Sequence, residues 1–182
     1  MVIGITGPNA AGKGEVAAYL VARGFAYHSL SDVLREELDK QGLPPTRENL
    51  IARGNALRAE QGAGVLAERI TPRLTGRDVV DSIRNPAEVE VLRRRPGFVL
   101  LGVDAPMEER FRRAVARGRP GDGPGLEEFR AREARENSPD RTRQQLARTF
   151  AMADRTLRND ATLEVLHSRV EALLAEIAQS SP

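Results

Sequence analysis

Residues 2–14 read VIGITGPNAAGKG, a short apolar run that leads into a glycine-rich turn. The run Val2 to Thr6 is rich in β-branched residues, which predicts a buried parallel strand. The turn from Gly7 to Lys13 matches the pattern G-x-x-x-x-G-K, and a helix is predicted to follow it. Glycines let successive backbone N–H groups point inward at an anion, and the helix adds the positive end of its dipole. The sequence therefore predicts a phosphate-binding loop at Gly7–Gly14, with Lys13 reaching the β- and γ-phosphates of a nucleotide.

The position after the lysine departs from the usual motif. Gly14 stands where Ser or Thr normally offers a hydroxyl to Mg²⁺, and Glu15 follows it. Mg²⁺ would then be held by water, by phosphates and by another carboxylate. Asp81, at the end of a predicted strand, is the candidate, and capping a turn is its alternative role. The predicted nucleotide contacts are Gly7, Pro8, Asn9, Ala10, Ala11, Gly12, Lys13, Gly14 and Glu15.

Strands alternate with helices along the rest of the chain. Four further strands are predicted at 25–28, 78–81, 98–103 and 155–159. Ser31 is predicted to cap a helix that begins at Asp32. This alternation predicts an α/β fold in three layers, with helices on both faces of a parallel sheet. Ligands of such sheets bind beyond the carboxyl ends of the strands, and the candidate sites at Gly7–Lys13, Asp32, Asp81–Arg84 and Asp104 all follow strands.

Composition argues against several classes of protein. The 182 residues include no Cys and two His, which excludes a disulfide framework, a thiolate nucleophile and a Cys-based zinc site. No apolar run approaches the ~18 residues that span a bilayer, and the start lacks the basic region of a signal peptide. We therefore expect a cytoplasmic protein with no membrane partner. A net charge of +2 and 4% aromatic residues also argue against a nucleic-acid partner.

Beyond the loop, the chain resembles nucleoside monophosphate kinases and dephospho-coenzyme A kinase. Gly12-Lys13-Gly14 is similar to adenylate kinase, which has Thr where this chain has Glu15. Residues 29–35, SLSDVLR, are similar to its S-T-G-D-x-L-R segment, and residues 81–84, DSIR, to its D-G-x-P-R segment. Residues 153–163 look more like dephospho-coenzyme A kinase. The overall likeness is greatest to an uncharacterised archaeal-type group of nucleotide-kinase-like proteins, in which G-K-G-E, S-D-V-x-R-E and P-T-R-E-N-L recur.

The resemblance implies an architecture and two cofactors. It implies a P-loop NTPase sandwich with a five-stranded parallel sheet, formed by one domain over residues 1–182. A helical flap at about 31–76 would bind the acceptor, and a lid at about 117–136 would close over the donor. ATP and Mg²⁺ are the implied cofactors, and the implied partner is a small nucleotide acceptor.

The resemblance also implies roles for particular residues. Arg35 and Arg84 fall where the family grips the acceptor phosphate, to which a planar guanidinium is well suited. Arg117 and Arg119 fall where family lids place Arg residues on the transferring phosphoryl group. Asp32 would be the general base if the acceptor were a sugar hydroxyl, whereas a phosphate acceptor needs none. The role of Asp32 therefore depends on the acceptor.

Several functions stay open at this point. The preferred one is ATP-dependent phosphoryl transfer to a nucleoside or deoxynucleoside monophosphate, and transfer to the ribose hydroxyl of dephospho-coenzyme A is the alternative within the class. A nucleotide-binding switch with slow hydrolysis gains weight from Gly14 and Glu15. A nucleic-acid-end kinase could use Arg-rich helices between Arg130 and Arg148, but interleaved Glu residues favour a solvated face. Arg112-Arg113 is interpreted as surface charge, and the sequence does not indicate the oligomeric state.

Overall fold

The computed structural model describes residues 1–118 and 125–180 and contains a five-stranded sheet. Every pair of neighbouring strands is parallel, in the order β2-β3-β1-β4-β5. This confirms the predicted α/β fold, and each predicted strand end lies within one residue of the observed end. The strands are β1 (Val2–Thr6), β2 (Ala26–Ser29), β3 (Asp78–Asp81), β4 (Phe98–Asp104) and β5 (Arg155–Arg158).

Helices connect the strands and cover the sheet. A 3-10 turn at Thr71–Arg73 follows the fourth helix. Within the described residues, no helix is both long and apolar enough to traverse a lipid bilayer. The helices are α1 (Lys13–Ala22), α2 (Leu30–Lys40), α3 (Arg47–Gln61), α4 (Val65–Ile70), α5 (Pro86–Leu92), α6 (Met107–Arg117), α7 (Leu126–Arg135), α8 (Leu146–Ala151) and α9 (Leu163–Ser180).

Two hydrophobic cores cover the two faces of the sheet. Because side chains alternate along a strand, Ile3 and Ile5 of β1 face one core and Val2 faces the other. The core around Ile3 packs against α1 and α9, while the core around Val2 packs against α2 to α5. Gly4 has no room for a side chain, since an added Cβ would lie 2.7 Å from Ile83. The predicted three layers are therefore present.

The helix after β2 starts earlier than predicted. It begins at Leu30 rather than Asp32, and Ser29 rather than Ser31 is its N-cap. The hydroxyl of Ser29 accepts a hydrogen bond of 3.3 Å from the backbone N–H of Ser31. Strand β2 thus passes directly into the helix.

A loop separates the Arg-rich helices that the sequence predicts between Arg130 and Arg148. Helix α7 ends at Arg135 and α8 begins at Leu146. Pro139 lies in the intervening segment, where a helix would require a backbone N–H that proline lacks. Asn85 fixes this loop, because its amide nitrogen donates to the carbonyl oxygens of Arg141 and Arg143 at 2.8 Å each.

Glu37 joins the three helices α2, α3 and α4 between β2 and β3. Its carboxylate accepts hydrogen bonds from Arg53 and Arg69 at 2.8 Å each and from Lys40 at 3.3 Å. The hydrogen bond from Arg53 is the largest cause that lowers the pKa of Glu37 to about 2, although burial acts in the opposite direction. The carboxylate side chain is 14% exposed. This charge network therefore fixes the three helices to one another.

Replacing Glu37 with Gln is expected to destabilise the protein by about 1.5–3 kcal/mol at pH 7, the usual range for hydrogen bonds to a charged group. Because the folded pKa lies below the unfolded value, this stabilisation is complete above about pH 4.5 and disappears as the pH falls towards 2. Thermal unfolding of both proteins across this range measures the effect. Glu60→Gln is the control, because Glu60 meets the same Arg53 at 3.8 Å and is 55% exposed. Equal losses from both substitutions would contradict the prediction.

Candidate active site

The backbone of the glycine-rich loop is curled between β1 and α1. Gly7, Ala10 and Gly12 have positive φ angles of 139°, 60° and 101°. A Cβ on Gly7 would lie 2.0 Å from the carbonyl oxygen of Val103, and one on Gly12 would lie 2.1 Å from Nδ2 of Asn159. Both positions therefore require glycine for conformation and for space. The loop leads directly into the N-terminus of a ten-residue helix, where an anion is favoured.

Lys13 lies folded back over the loop. Its Nζ donates to the carbonyl oxygens of Gly7 at 2.7 Å and Pro8 at 2.8 Å. The pKa of Lys13 is lowered to about 8, first by removal of the ammonium from water and next by the positive charge of Arg84. Asp81 and Glu136 oppose this shift. The lysine is therefore surrounded by the charged groups of the site and is less basic than usual.

Asp81 lies at the end of β3 beside this lysine. Its Oδ1 accepts a hydrogen bond of 2.6 Å from the backbone N–H of Ser82, whose φ is 66°, so Asp81 does stabilise a turn. Its Oδ2 accepts a long hydrogen bond of 3.4 Å from the hydroxyl of Tyr27. Within residues 1–118 and 125–180, no group of three or more metal-ligating side chains is found. One carboxylate is nevertheless compatible with Mg²⁺, which is commonly held by one or two carboxylates together with substrate phosphates.

Helix α6 brings two arginines to the loop. Nη2 of Arg117 donates to Oδ1 of Asn9 at 3.2 Å. Nη1 of the buried Arg110 donates to the backbone oxygen of Asn9 at 3.3 Å and forms an ion pair of 2.5 Å with Glu133 of α7. The contact made by Arg110 was not predicted from sequence. Arg119 lies outside the described residues, so the predicted lid at 117–136 is described only in part.

Arg113 is not the solvated surface charge that the sequence suggested. Its Nη2 donates to the backbone oxygen of Asn159 at 3.1 Å, and its buried Nη1 has no hydrogen-bond partner among the described residues. Nδ2 of Asn159 in turn donates to the backbone oxygen of Ala11 at 2.9 Å. Asn159 therefore links Arg113 to the phosphate loop, and it holds the segment after β5 beneath that loop.

A cleft lies between the flap helices, defined here as α2 to α4, and the segments that follow β3 and α7. Its wall is largely apolar on the flap side, while Arg and Glu side chains lie on the opposite side and at α3. The residues that line it are Leu30, Ser31, Leu34, Arg47, Leu50, Ile51, Arg58, Leu66, Ser82, Arg84, Glu136 and Gln144.

Two of the lining arginines share one carboxylate. Nη2 of Arg47 donates to Oε1 of Glu136 at 2.5 Å, and Nη1 of Arg84 donates to Oε2 at 3.1 Å. Glu136 is 6% exposed, whereas about a third of each arginine side chain is exposed. Arg47 and Glu136 are further functional candidates that sequence reasoning missed, although Arg47 lies within the quoted P-T-R-E-N-L pattern.

A buried ion pair between Arg58 and Glu88 fixes the backbone at Arg84. Arg58 and Glu88 are 3% and 0% exposed and meet at 2.8 Å. The other oxygen of Glu88 accepts hydrogen bonds from the backbone N–H groups of Arg84 and Asn85 at 2.8 and 3.0 Å. Asn85 also caps α5. The backbone that carries Arg84 is therefore fixed by partners inside the protein.

Asp32 and Arg35 lie outside the lining of this cleft. They form an ion pair of 2.6 Å with each other, and their side chains are 45% and 52% exposed. The residues of α2 that do line the cleft are Leu30, Ser31 and Leu34. The structure therefore does not bring Asp32 and Arg35 together with Arg84, as the sequence had predicted for an acceptor site.

Comparison with known proteins places the chain in a family. A family model described as an AAA domain, AAA_18, matches residues 3–140. A UPF0200 protein of Methanoculleus marisnigri is 38% identical over 181 residues, covering 97% of this chain and 96% of the relative. The UPF0200 protein PH1008 of Pyrococcus horikoshii is 30% identical over 191 residues and is matched along its whole length.

Solved structures share the architecture. TT1252 from Thermus thermophilus has a TM-score of 0.62 at 28% identity, with 97% of both chains covered. Shikimate kinase from Bacteroides thetaiotaomicron has a TM-score of 0.61 at 16% identity, with 96% of this chain and 98% of the kinase covered. A gluconokinase from Sinorhizobium meliloti has a TM-score of 0.56 at 18% identity, with 98% and 93% covered. The fold is thus that of P-loop kinases, and the chain belongs to the UPF0200 family.

Proposed function

We propose that this protein transfers the γ-phosphoryl group of ATP to a small nucleotide-like acceptor, a nucleoside or deoxynucleoside monophosphate. The observation that supports this most directly is the pair Arg47 and Arg84, which converge on one carboxylate within a cleft that has apolar walls. Two guanidinium groups suit a phosphate, and an apolar wall suits a base. Arg84 is close enough to Lys13 to lower its pKa, so this cleft adjoins the phosphate loop.

The donor would bind at the glycine-rich loop. Loop N–H groups and the start of α1 would hold its phosphates, and Lys13 would leave the carbonyl oxygens of Gly7 and Pro8 to reach the β- and γ-phosphates. Asp81 would hold Mg²⁺ through Oδ2. When bound, Mg²⁺ supplies positive charge that offsets the charge of the phosphates.

The protein would contribute position and charge to the transfer itself. An oxygen of the acceptor phosphate forms a bond to the γ-phosphorus while the bond from that phosphorus to the oxygen of ADP breaks. Lys13, Arg84 and Arg117 would neutralise charge on the moving group. We further propose that the flap helices, together with the lid at about 117–136, exclude water while the phosphoryl group moves. The proposed lid includes Arg119, which is assigned to the transferring phosphoryl group from the sequence alone.

A phosphate acceptor fits the site better than a sugar hydroxyl does. Transfer to a hydroxyl, as in dephospho-coenzyme A kinase, calls for a general base within hydrogen-bond reach. The candidate base Asp32 is instead paired with Arg35 outside the cleft lining. An attacking oxygen that is already a phosphate anion needs no such base, which favours the monophosphate.

A coupled assay for ADP release tests the proposal. The protein is incubated with ATP and Mg²⁺ and with each of a panel of nucleoside monophosphates, deoxynucleoside monophosphates and dephospho-coenzyme A. Stimulation by one monophosphate, with the matching diphosphate recovered, is the expected result. Stimulation by dephospho-coenzyme A alone would show that the acceptor group is a sugar hydroxyl and not a phosphate. Slow ADP release that no acceptor changes would favour a nucleotide-dependent switch.

Nucleotide binding is expected to draw a proton onto Lys13 near pH 8. The pKa of Lys13 is about 8, so roughly half of the molecules are deprotonated at that pH, and bound phosphates would raise the pKa by favouring the ammonium. Calorimetry of ATP binding in two buffers of different ionisation enthalpy should therefore show an uptake of about half a proton at pH 8 and very little at pH 6. ATP affinity should fall as the pH rises further. If the enthalpy of ATP binding at pH 8 were the same in both buffers, no proton would be taken up, which would contradict the predicted protonation of Lys13.

A further inference from the structure

Glu136 forms ion pairs with two arginines in the cleft that is proposed to bind the acceptor. One carboxylate oxygen accepts from Arg47 of α3, and the other accepts from Arg84, which follows β3. The two arginines come from opposite sides of the cleft and lie 37 positions apart in sequence. With 6% exposure, Glu136 has little water to compensate its charge, so the arginines must supply that compensation.

The same arrangement of donors suits a phosphate. A carboxylate presents two acceptor oxygens in a plane, and a phosphate presents three at similar spacing with a larger charge. Both arginine side chains remain about one third exposed, so a ligand can approach them from the cleft. Gln144, which also lines the cleft, receives a weak hydrogen bond of 3.4 Å from the same Nη1 of Arg84.

The backbone at Glu136 is fixed, so only its side chain can leave the arginines. The backbone N–H of Glu136 donates to the carbonyl oxygen of Glu133, and its own carbonyl oxygen accepts from Leu146. The backbone N–H of Gln145 donates to the carbonyl oxygen of Arg84 at 2.9 Å. Rotation about the side-chain bonds of Glu136 would release Arg47 and Arg84 without unfolding the loop.

We propose that Glu136 is a built-in competitor for the acceptor phosphate, which occupies the Arg47–Arg84 pair until a dianionic acceptor displaces it. This inference rests on the proposed function. A neutral sugar cannot displace the carboxylate, because it offers the arginines no charge in exchange. Glu136 thus selects for a phosphorylated acceptor. Glu136 also neutralises the charge of Arg84 until that acceptor arrives. Because Arg84 is then not available to the γ-phosphoryl group, hydrolysis of ATP by water would be limited.

Binding of inorganic phosphate tests this without any turnover. Calorimetric titrations compare the wild type, Glu136→Gln, and Glu136→Gln combined with Arg47→Gln. The glycine-rich loop can bind phosphate too, and the charge of Glu136 raises the pKa of Lys13 in that loop. The three titrations are therefore repeated in a Lys13→Ala background, in which the differences report the Arg47–Arg84 pair. Removing the competing charge is expected to tighten phosphate binding at this pair by about tenfold or more. Adding Arg47→Gln should abolish the gain.

Two controls separate competition from a structural role. Glu128→Gln removes the same charge from α7, where Glu128 pairs with Arg132 at 2.5 Å and does not line the cleft. It should leave phosphate affinity unchanged. Phosphate should also raise the melting temperature of Glu136→Gln more than that of the wild type, because it restores the lost ion pairs.

The outcomes are distinct from those of the activity assay. Unchanged or weaker phosphate binding by a folded Glu136→Gln would overturn the proposal and leave Glu136 as a positioning residue for the arginines. An equal gain in the double variant would also overturn it, because the gain would then come from another site. If no acceptor stimulates ADP release but phosphate binds as predicted, the proposed function fails while the competitor role stands.

Discussion

Lys13→Ala is expected to weaken ATP binding by about 100-fold or more, since the ammonium would supply charge-assisted hydrogen bonds of roughly 1.5–3 kcal/mol each to the phosphates. The fold should persist, because the hydrogen bonds that the ammonium makes within the described residues are to the carbonyl oxygens of Gly7 and Pro8 in its own loop. When the lysine side chain is removed, water can donate hydrogen bonds to those carbonyl oxygens in its place. Calorimetry with ATP, together with a thermal melt of the variant, measures both expectations.

The chain offers a matched control in Lys40, its one other lysine. Lys40 is 71% exposed and pairs with Glu37 at 3.3 Å, on a helix of the flap. Lys40→Ala therefore removes the same charge and should leave the ATP dissociation constant unchanged. A folded Lys13→Ala protein that bound ATP as well as the Lys40→Ala protein would show that the nucleotide does not use this loop.

The sheet and the loop could be predicted because their signals are local. Strand β1 is a continuous apolar run, and the turn from Gly7 to Lys13 needs glycine at the positions where φ is positive. Ala10 also has a positive φ of 60°, which no pattern indicated. Strand β4 is likewise an apolar run, whereas β2, β3 and β5 are four-residue strands of mixed polarity; the predicted ends of all four lie within one residue of the observed ends.

The acceptor side could not be predicted in the same way. Arg47 and Glu136 lie 89 positions apart and meet only through the tertiary fold. The position of Asp32 and Arg35 outside the cleft lining has a simpler cause. Helix α2 turns Leu30, Ser31 and Leu34 towards the cleft, and the helical spacing leaves Asp32 and Arg35 on another side of the helix, which no sequence pattern indicated.

The loop between α7 and α8 could have been found from the sequence. Ser138-Pro139-Asp140 is a turn signal, since proline cannot continue a helix and Asp commonly bonds to the backbone two residues on. In the structure Oδ1 of Asp140 accepts from the N–H of Thr142 at 2.9 Å. The residues before and after this turn are rich in Glu and Arg. Such a composition is typical of a solvated helix, and it therefore hid the turn signal.

Arg84→Ala is expected to lower kcat/KM for the acceptor by about 100- to 1,000-fold, the usual effect of removing one donor to the transferring group or one partner of a buried charge pair. ATP affinity should change little, because Arg84 contacts Glu136 and Gln144 rather than the glycine-rich loop. The backbone should keep its place, since Glu88 holds the N–H of residue 84 and not its side chain. Steady-state kinetics with the acceptor identified by the ADP-release assay measures the first effect, and calorimetry measures the second.

Two comparisons make the Arg84 prediction specific. Arg93→Ala is the control, because Arg93 is 41% exposed and pairs with Asp154 away from the cleft. Removal of Arg84 also removes a positive charge that lowers the pKa of Lys13, so that pKa should rise and the proton uptake on ATP binding at pH 8 should shrink. A variant that lost only acceptor turnover, with the proton uptake unchanged, would show that Arg84 does not adjoin Lys13 in solution. A variant that lost ATP binding instead would assign Arg84 to the donor side of the site.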